Sequence, residues 1–149
     1  MEIILTVNKE RVWEEVAQTA SYAGDKMVDD EDAYERMMTT DEDRSKLERF
    51  WDESCATVCE RLKQMLGGEE LTSNGDYRLK LKLSNSFDTT LRDGMEKELM
   101  SFIVLNITAK WFAFTNKKEA GDYASGAREM LESVHRKAVF KRKPTRPVY

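Results

Sequence analysis

The sequence predicts a mainly α fold: a helical bundle of four to five helices, two of them long, with one β-hairpin at about residues 70–83, a short N-terminal strand and an extended C-terminal tail. Three patterns support this prediction. An apolar stripe in steps of three and four runs from Leu47 to Leu66, apolar and basic residues alternate over Tyr77–Leu83, and Leu99–Phe114 is apolar nearly all round. The length of 149 residues indicates one domain, assigned to residues 1–140, followed by the tail at 141–149.

The first forty residues are predicted to form a strand and two helices. Met1–Val7 is rich in branched residues and favours a short strand. Asn8 is a suitable N-cap for a helix that ends at Gly24. Asp29–Met38 predicts a short second helix, whose apolar side holds Ala33, Tyr34, Met37 and Met38.

The next segment predicts a long helix followed by a hairpin. Thr40 is a good N-cap, and the helix is predicted to stop at Gly67-Gly68. Asn74-Gly75 is a hairpin turn signal, which makes Glu70–Ser73 the predicted partner of the Tyr77–Leu83 strand. Two strands alone are marginally stable, so the hairpin needs a helix beneath it, the Met1–Val7 strand beside it, or a neighbouring subunit.

Two further helices complete the predicted bundle. Asp88 or Ser86 caps a helix that runs to about Phe114 and forms the centre of the domain. At 16 residues and with Lys110 inside it, Leu99–Phe114 is too short and too polar for a membrane span. The last helix begins near Asn116 with a near capping box, and Pro144 and Pro147 then prevent regular structure in the tail.

Charge is distributed unevenly along the chain. Residues 1–70 hold 9 basic and 19 acidic side chains, residues 71–132 hold 9 of each, and residues 133–149 hold six basic side chains and no acid, within a net charge of −4. Such a molecule can bind copies of itself head to tail, or bind an acidic partner through its tail. We therefore expect the cationic C-terminal segment to lie against another, electronegative molecule.

No catalytic motif competes with that interpretation. Cys55 and Cys59 share a helix face, but His135 is the only histidine, so a four-ligand zinc site is disfavoured and the cysteines are expected in the core or at its boundary. A di-iron site is excluded on the same ground. The acidic runs at residues 29–32 and 41–43 lack calcium-loop spacing and are interpreted as helix starts and a solvated face. No cofactor and no metal is expected, and the chain is predicted not to be an enzyme.

Two further expectations concern Lys110 and the cysteines. Lys110 is expected to lie along apolar surface with its amine in water or on a carboxylate, or alternatively to pair across an interface between subunits. Two cysteines make no disulfide framework, which favours a reducing compartment.

The order of these elements over Leu91–Tyr149, especially Phe102–Trp111 and the tail from Arg142 to Pro147, resembles the small α-helical head–tail connector (adaptor) proteins of tailed bacteriophages. The resemblance implies a homo-oligomeric ring, commonly a dodecamer, docked under the portal protein and among other tail and connector proteins at the capsid vertex. DNA would pass through it without sequence-specific binding. It implies a virion location at the neck, with assembly in the host cytoplasm, and no membrane association.

Carried onto this sequence, the resemblance and the charge pattern give three sets of binding residues. The set that would bind the portal or a neighbour is Lys141, Arg142, Lys143, Pro144, Arg146, Pro147 and Tyr149. The hairpin contacts would be Arg78, Lys80 and Lys82. The acidic face toward the adjacent subunit would be Glu14, Glu15, Asp29, Asp30, Asp41, Glu42 and Asp43.

The alternative hypothesis is a small nucleic-acid-binding or regulatory helical protein that uses the basic segment from Arg136 to Arg146. This segment holds six basic side chains, and six phosphate contacts would make binding fall steeply as the salt concentration rises. The acidity of the remaining chain and the lack of a recognisable recognition helix disfavour this hypothesis.

Overall fold

The computed structural model describes residues 1–26, 41–71, 75–115 and 117–140, and over these residues the fold is mainly α. The elements in chain order are β1 (Glu2–Val7), α1 (Lys9–Lys26), α2 (Asp41–Arg61), β2 (Leu66–Leu71), β3 (Tyr77–Lys82), α3 (Arg92–Thr115) and α4 (Lys117–Val139). Short 3-10 turns at Lys63–Met65 and Thr89–Leu91 precede β2 and α3. The predicted helix at Asp29–Met38, the tail at 141–149 and the Asn116 cap lie outside the described residues.

Helix α3 is the centre of the molecule, as its apolar sequence predicts. It packs along α4 and contacts α1, α2 and β1. Its buried side chains fall on several sides of the helix and include Met95, Leu99, Phe102, Ile103, Val104, Ile107, Trp111 and Phe112. These residues belong to the same hydrophobic core cluster as the buried stripe of α2 and the inner face of the sheet.

The three strands form one antiparallel sheet in the order β1-β3-β2. The N-terminal strand pairs with β3 along its whole length, from Glu2 opposite Lys82 to Val7 opposite Tyr77. The hairpin therefore has both a strand beside it and a core beneath it within one chain. A neighbouring subunit is not needed to cover it, so this feature no longer argues for assembly.

The predicted start of the hairpin, Glu70, was wrong, and so was the helix stop at Gly67-Gly68. Helix α2 already ends at Arg61, and the two glycines belong to β2. The strand pairing shifts by a β-bulge between Leu66 and Gly68, and Gly68 has a φ of 144°, a conformation that side chains strongly disfavour. The glycines thus serve a bulged edge strand.

Candidate interaction surface

Three cations form a line on the solvent face of the sheet, and we call them the basic strip: Arg78, Lys80 and Lys82. Each projects from the middle strand β3, while Tyr77, Leu79 and Leu81 between them are buried against the core. The period of two in the sequence predicts this placement, because successive side chains of a strand point to opposite faces. Arg78 and Lys80 are half-buried and Lys82 is exposed.

The strand register decides which charges of the strip are balanced. Arg78 lies opposite Thr6 on one side and Glu70 on the other, and Lys82 lies opposite Glu2. Lys80 lies between Ile4 and Gly68, so neither neighbouring strand places an acid across from it. Among the described residues neither Lys80 nor Lys82 has an ion-pair partner.

A surface without side chains borders the strip. A Cβ built on Gly67 would lie 3.3 Å from Cγ of Lys82 and 3.5 Å from Cβ of Lys80, so the lysine stems lie over this glycine. Nothing lies within 4 Å of the corresponding point on Gly68. The lysine stems therefore cover Gly67, whereas the position beside Gly68, toward the edge of the sheet, is open.

The opposite edge of the sheet is closed by α3. The Arg92 guanidinium donates to the backbone oxygen of Ile4 (2.7 Å), and the backbone amide of Thr6 donates to Oε2 of Glu96 (3.0 Å). Arg92 and Glu96 also pair with each other at 3.1 Å. No sequence pattern pointed to these two residues, because their partners are backbone atoms about 90 residues away.

The predicted acidic face is described only in part. Glu14 is exposed on α1, and Glu15 and Asp43 are half-buried. Asp29 and Asp30, as well as the side chains of Asp41 and Glu42, lie outside the described residues. In the described part, the most exposed acids of α1 are Glu10 and Glu14, which are one helical turn apart.

The start of the basic C-terminal segment is helical. Arg136 and Lys137 lie in the last turn of α4, where cations interact favourably with the helix dipole. Lys137 is bonded to Glu98 of α3, so its charge is already matched. Val139 and Phe140 follow with about half of their surface exposed. All seven predicted portal-binding residues, Lys141, Arg142, Lys143, Pro144, Arg146, Pro147 and Tyr149, lie outside the described residues.

Lys110 has a partner within the chain. Its ammonium group lies 2.8 Å from Glu53 of α2, and Asn106 one turn earlier donates to Ser54 at 2.8 Å. Hydrogen bonds from Lys110 and, second, from Arg49 hold the pKa of Glu53 below its ordinary value. Lys110 therefore joins α3 to α2, and a pairing across a subunit interface is not required.

The two cysteines lie where α2 packs on the sheet. Burial raises the pKa of the Cys55 thiol to about 12. Burial and then a hydrogen bond to Glu69 raise the pKa of Cys59 to about 11. Cys59 donates to Glu69 at 2.6 Å and lies 3.1 Å from the Tyr77 hydroxyl, whose pKa burial also raises. Because the thiolate is the reactive form, this environment disfavours nucleophilic chemistry at either cysteine.

Lys9 is a second residue that the sequence did not single out. Its ammonium group binds Glu48 at 2.6 Å and lies 5.4 Å and 5.9 Å from the ring centres of Trp51 and Trp13. Its backbone amide donates to Asp76 beside the hairpin turn. Lys9 thus ties the start of α1 to α2 and to β3, through contacts that local sequence cannot reveal.

Three other features concern the described residues alone. His135 lines an open groove of about 740 Å³ between α2 and α4, where Arg61 and Glu132 form a two-point ion pair at 2.6 and 2.9 Å. No group of three or more His, Cys, Asp or Glu side chains there is placed to hold a metal ion. None of the described helices is long and apolar enough to cross a membrane.

Comparison with known proteins finds no match to this chain among family models, among curated proteins or among solved structures. What the protein does is therefore inferred from its own charges and surfaces.

Proposed function

We propose that this chain is a structural assembly subunit, and specifically a head–tail connector (adaptor) ring protein of a tailed-phage virion. The ring would dock under the portal and form part of the DNA channel, with no reaction catalysed. The specific form of the proposal comes from the resemblance over Leu91–Tyr149, and its general form from the surface charges.

The observation that carries the proposal is that Lys80 and Lys82 of the basic strip have no ion-pair partner among the described residues. Elsewhere the described cations near the core are satisfied within the chain: Lys9 by Glu48, Lys110 by Glu53 and Lys137 by Glu98. Lys80 and Lys82 remain on an open sheet face of a chain whose first seventy residues carry ten more acids than bases. Complementary patches of this kind favour specific association and fix its register.

The proposed role of the tail is to bind the portal. Four cations and two prolines stand between Lys141 and Tyr149. Prolines reduce the number of conformations that a segment loses on docking, and arginines suit bidentate pairing with carboxylates. The acid-free composition of the segment supports an electronegative receiving surface.

Mass measurement tests the assembly part of the proposal. Light scattering on the full chain after gel filtration is expected to show a species near twelve times the monomer mass of 17.3 kDa, growing with concentration and shrinking with added salt. A monomer at every concentration, alone and in the presence of purified portal protein, would contradict the assembly proposal.

A truncation tests the portal part. Deletion of Lys141–Tyr149 is expected to abolish co-sedimentation with purified portal while the helical circular dichroism stays unchanged. A matched variant keeps the tail length and replaces Lys141, Lys143 and both arginines of the tail by serine. Loss in both variants supports a charge-dependent contact, and full binding by the truncated chain would refute the role of the tail.

The nucleic-acid hypothesis retains one supporting observation, the exposed lysines of the basic strip. Glu2 and Glu70 lie across from the two ends of that strip, and Lys137 is bonded to Glu98, so fewer cations are free for phosphates than the sequence suggests. A mobility-shift assay at low salt decides between the two hypotheses. Retardation that falls steeply with salt supports nucleic-acid binding.

A further inference from the structure

We infer that the basic strip receives helix α1 of a second copy, with Lys80 and Lys82 paired with Glu14 and Glu10 of that copy. This inference rests on the proposed self-assembly and names the two surfaces that would meet. The strip and α1 share no residue, so the contact is heterologous, the kind that generates rings when the rotation closes.

The first argument is spacing. Lys80 and Lys82 are alternate residues of a strand, which places their stems about 6.7 Å apart on one face. Glu10 and Glu14 are separated by one helical turn, a rise of about 6 Å. Two carboxylates on α1 therefore match two ammonium groups on β3 in distance as well as in sign.

The pattern continues to a third position. Gln18 is exposed one further turn along α1, on the side of Glu10 and Glu14. A helix laid along the strip in this register brings Gln18 to Arg78, which already has Glu70 opposite it on β2. Glu2 likewise lies opposite Lys82 on β1, so Lys80 is the position of the strip that has no acid across from it, and Glu14 would supply that acid.

The second argument is that four other exposed acids of the described residues already have a cation partner. Glu48 is bonded to Lys9, Glu60 to Lys63, Asp93 to Arg92 and Glu132 to Arg61. Glu2, Asp52, Asp122 and Glu129 are exposed without an ion pair among the described residues, but no two of them stand one helical turn apart. Glu10 and Glu14 are an exposed pair with no ion-pair partner in the described part of the chain. The exposed Arg11 lies about 100° around the helix from Glu10 and about 60° from Glu14, so it borders the pair on one side.

The third argument is access. Gly68, beside the lysine stems, has no side chain and nothing within 4 Å of its Cβ position, so no described side chain blocks an approach to the lysines there. At the other edge of the sheet, Arg92 and Glu96 already occupy backbone groups of β1, so an added strand is disfavoured there. The geometry favours a partner that docks on the face of the sheet through side chains.

Charge reversal in a cycle of four full-length chains tests the inference. The chains are the wild type, K80E/K82E, E10K/E14K and the chain that combines all four changes. Self-association is measured by sedimentation velocity at about 50 and 300 mM salt, which spans the range in which exposed charges become screened. Each double reversal is expected to weaken association by roughly tenfold or more, and the combined chain to return to within about threefold of the wild type.

Two further variants control for the change in net charge and for damage to the fold. K117E/K118E changes the net charge by the same amount at exposed lysines of α4 and is expected to leave association unchanged. K80T/K82T keeps residues that favour strands and is expected to weaken association with an unaltered circular dichroism spectrum.

The outcomes separate the two proposals. If the wild type assembles and the reversals leave assembly intact, or the combined chain stays as weak as its parents, the pairing with α1 is overturned while the assembly proposal stands. If the wild type never associates, both are overturned.

Discussion

The helices and the outer face of the sheet differ in whether their lysines have ion-pair partners. Between the helices, Lys110 of α3 reaches Glu53 of α2, and Lys137 of α4 reaches Glu98 of α3. On the sheet, Lys80 and Lys82 have no ion-pair partner among the described residues, and Lys80 has no acid across from it on either neighbouring strand. Charges next to the core are matched because leaving them unpaired there is costly. Unmatched charges on an open face cost the fold little and are available to another molecule.

The largest expected effect on stability comes from shortening a buried side chain of α3. Ile103→Ala removes a side chain that is fully buried in α3 and leaves a cavity, so the free energy of unfolding is expected to fall by about 2–5 kcal/mol. Urea denaturation followed by circular dichroism measures the change. A loss below 1 kcal/mol, of the size typical of surface sites, would show that α3 is not the structural centre.

Removing one partner of a helical ion pair is the next strongest test. Lys137→Met leaves the half-buried Glu98, one of whose oxygens already lacks a hydrogen-bond partner, without its cation, and about 1–3 kcal/mol of stability is expected to be lost. Lys63→Met breaks the exposed pair with Glu60 and serves as the control, with a change within about 0.5 kcal/mol. Equal effects of the two variants would remove the distinction between core-facing and exposed charges.

The turn between β2 and β3 offers a test of intermediate size. Gly75 has a φ of 87°, and a Cβ there would approach Cδ of Lys9 to 3.1 Å. Gly75→Ala is expected to cost about 1–2 kcal/mol through backbone strain and displacement of Lys9. The control Gly121→Ala lies in an open part of α4 and is expected to stabilise by about 0.5–1 kcal/mol. A neutral Gly75 variant would show that Lys9 is not held at this turn.

Alkaline pH is expected to weaken the contact between α2 and the sheet. The pKa of Cys55 rises from 9.0 to about 12 on folding, so the folded thiol keeps its proton where the unfolded thiol has lost it. Its contribution is complete below pH 9 and declines above it, by about 1.4 kcal/mol for each pH unit. Unfolding titrations at pH 8 and pH 10 on the wild type and Cys55→Ala should differ by about that amount. Identical pH dependence in both chains would exclude Cys55 as the cause.

The smallest expected effect on folding is at the basic strip itself. Lys80→Ala and Lys82→Ala are expected to change the free energy of unfolding of the monomer by less than about 0.5 kcal/mol, because neither lysine has an ion-pair partner among the described residues. Unfolding is measured at a concentration below that of self-association. A loss above 1 kcal/mol would reveal a structural role for the strip and would weaken the argument for an external partner.

The sequence predicts the elements better than it predicts their contacts. The mainly α class, the apolar stripe of α2, the central position of α3 and the two faces of β3 all follow from local periodicity and are confirmed. The start of β2 was wrong because a glycine pair signals the end of a helix as readily as a bulged strand. The pairing of β1 with β3, and the partners of Lys9, Lys110 and Arg92, join residues far apart in the chain, which no periodic pattern encodes.

At the candidate surface, too, the sequence predicts the position of the side chains but not their partners. The alternation at Tyr77–Leu83 was sufficient to place the basic strip on one face, since a strand leaves no other choice. It did not indicate that Lys80 would lack an acid across from it, because that depends on register against two other strands. Lys137 was counted with the free cations of the C-terminal segment, whereas it is bound to Glu98 in the fold.

The hydrogen bonds of Arg92 and Glu96 to the backbone of β1 bear on how the protein behaves at high concentration. A backbone oxygen and an amide that are already bonded cannot template a foreign strand, and the bulge at Leu66 and Gly68 interrupts the other border of the sheet. Fibril growth by edge-to-edge pairing needs two regular sheet edges, one for each neighbouring molecule. We therefore expect fibril growth through this sheet to be disfavoured even in concentrated solutions.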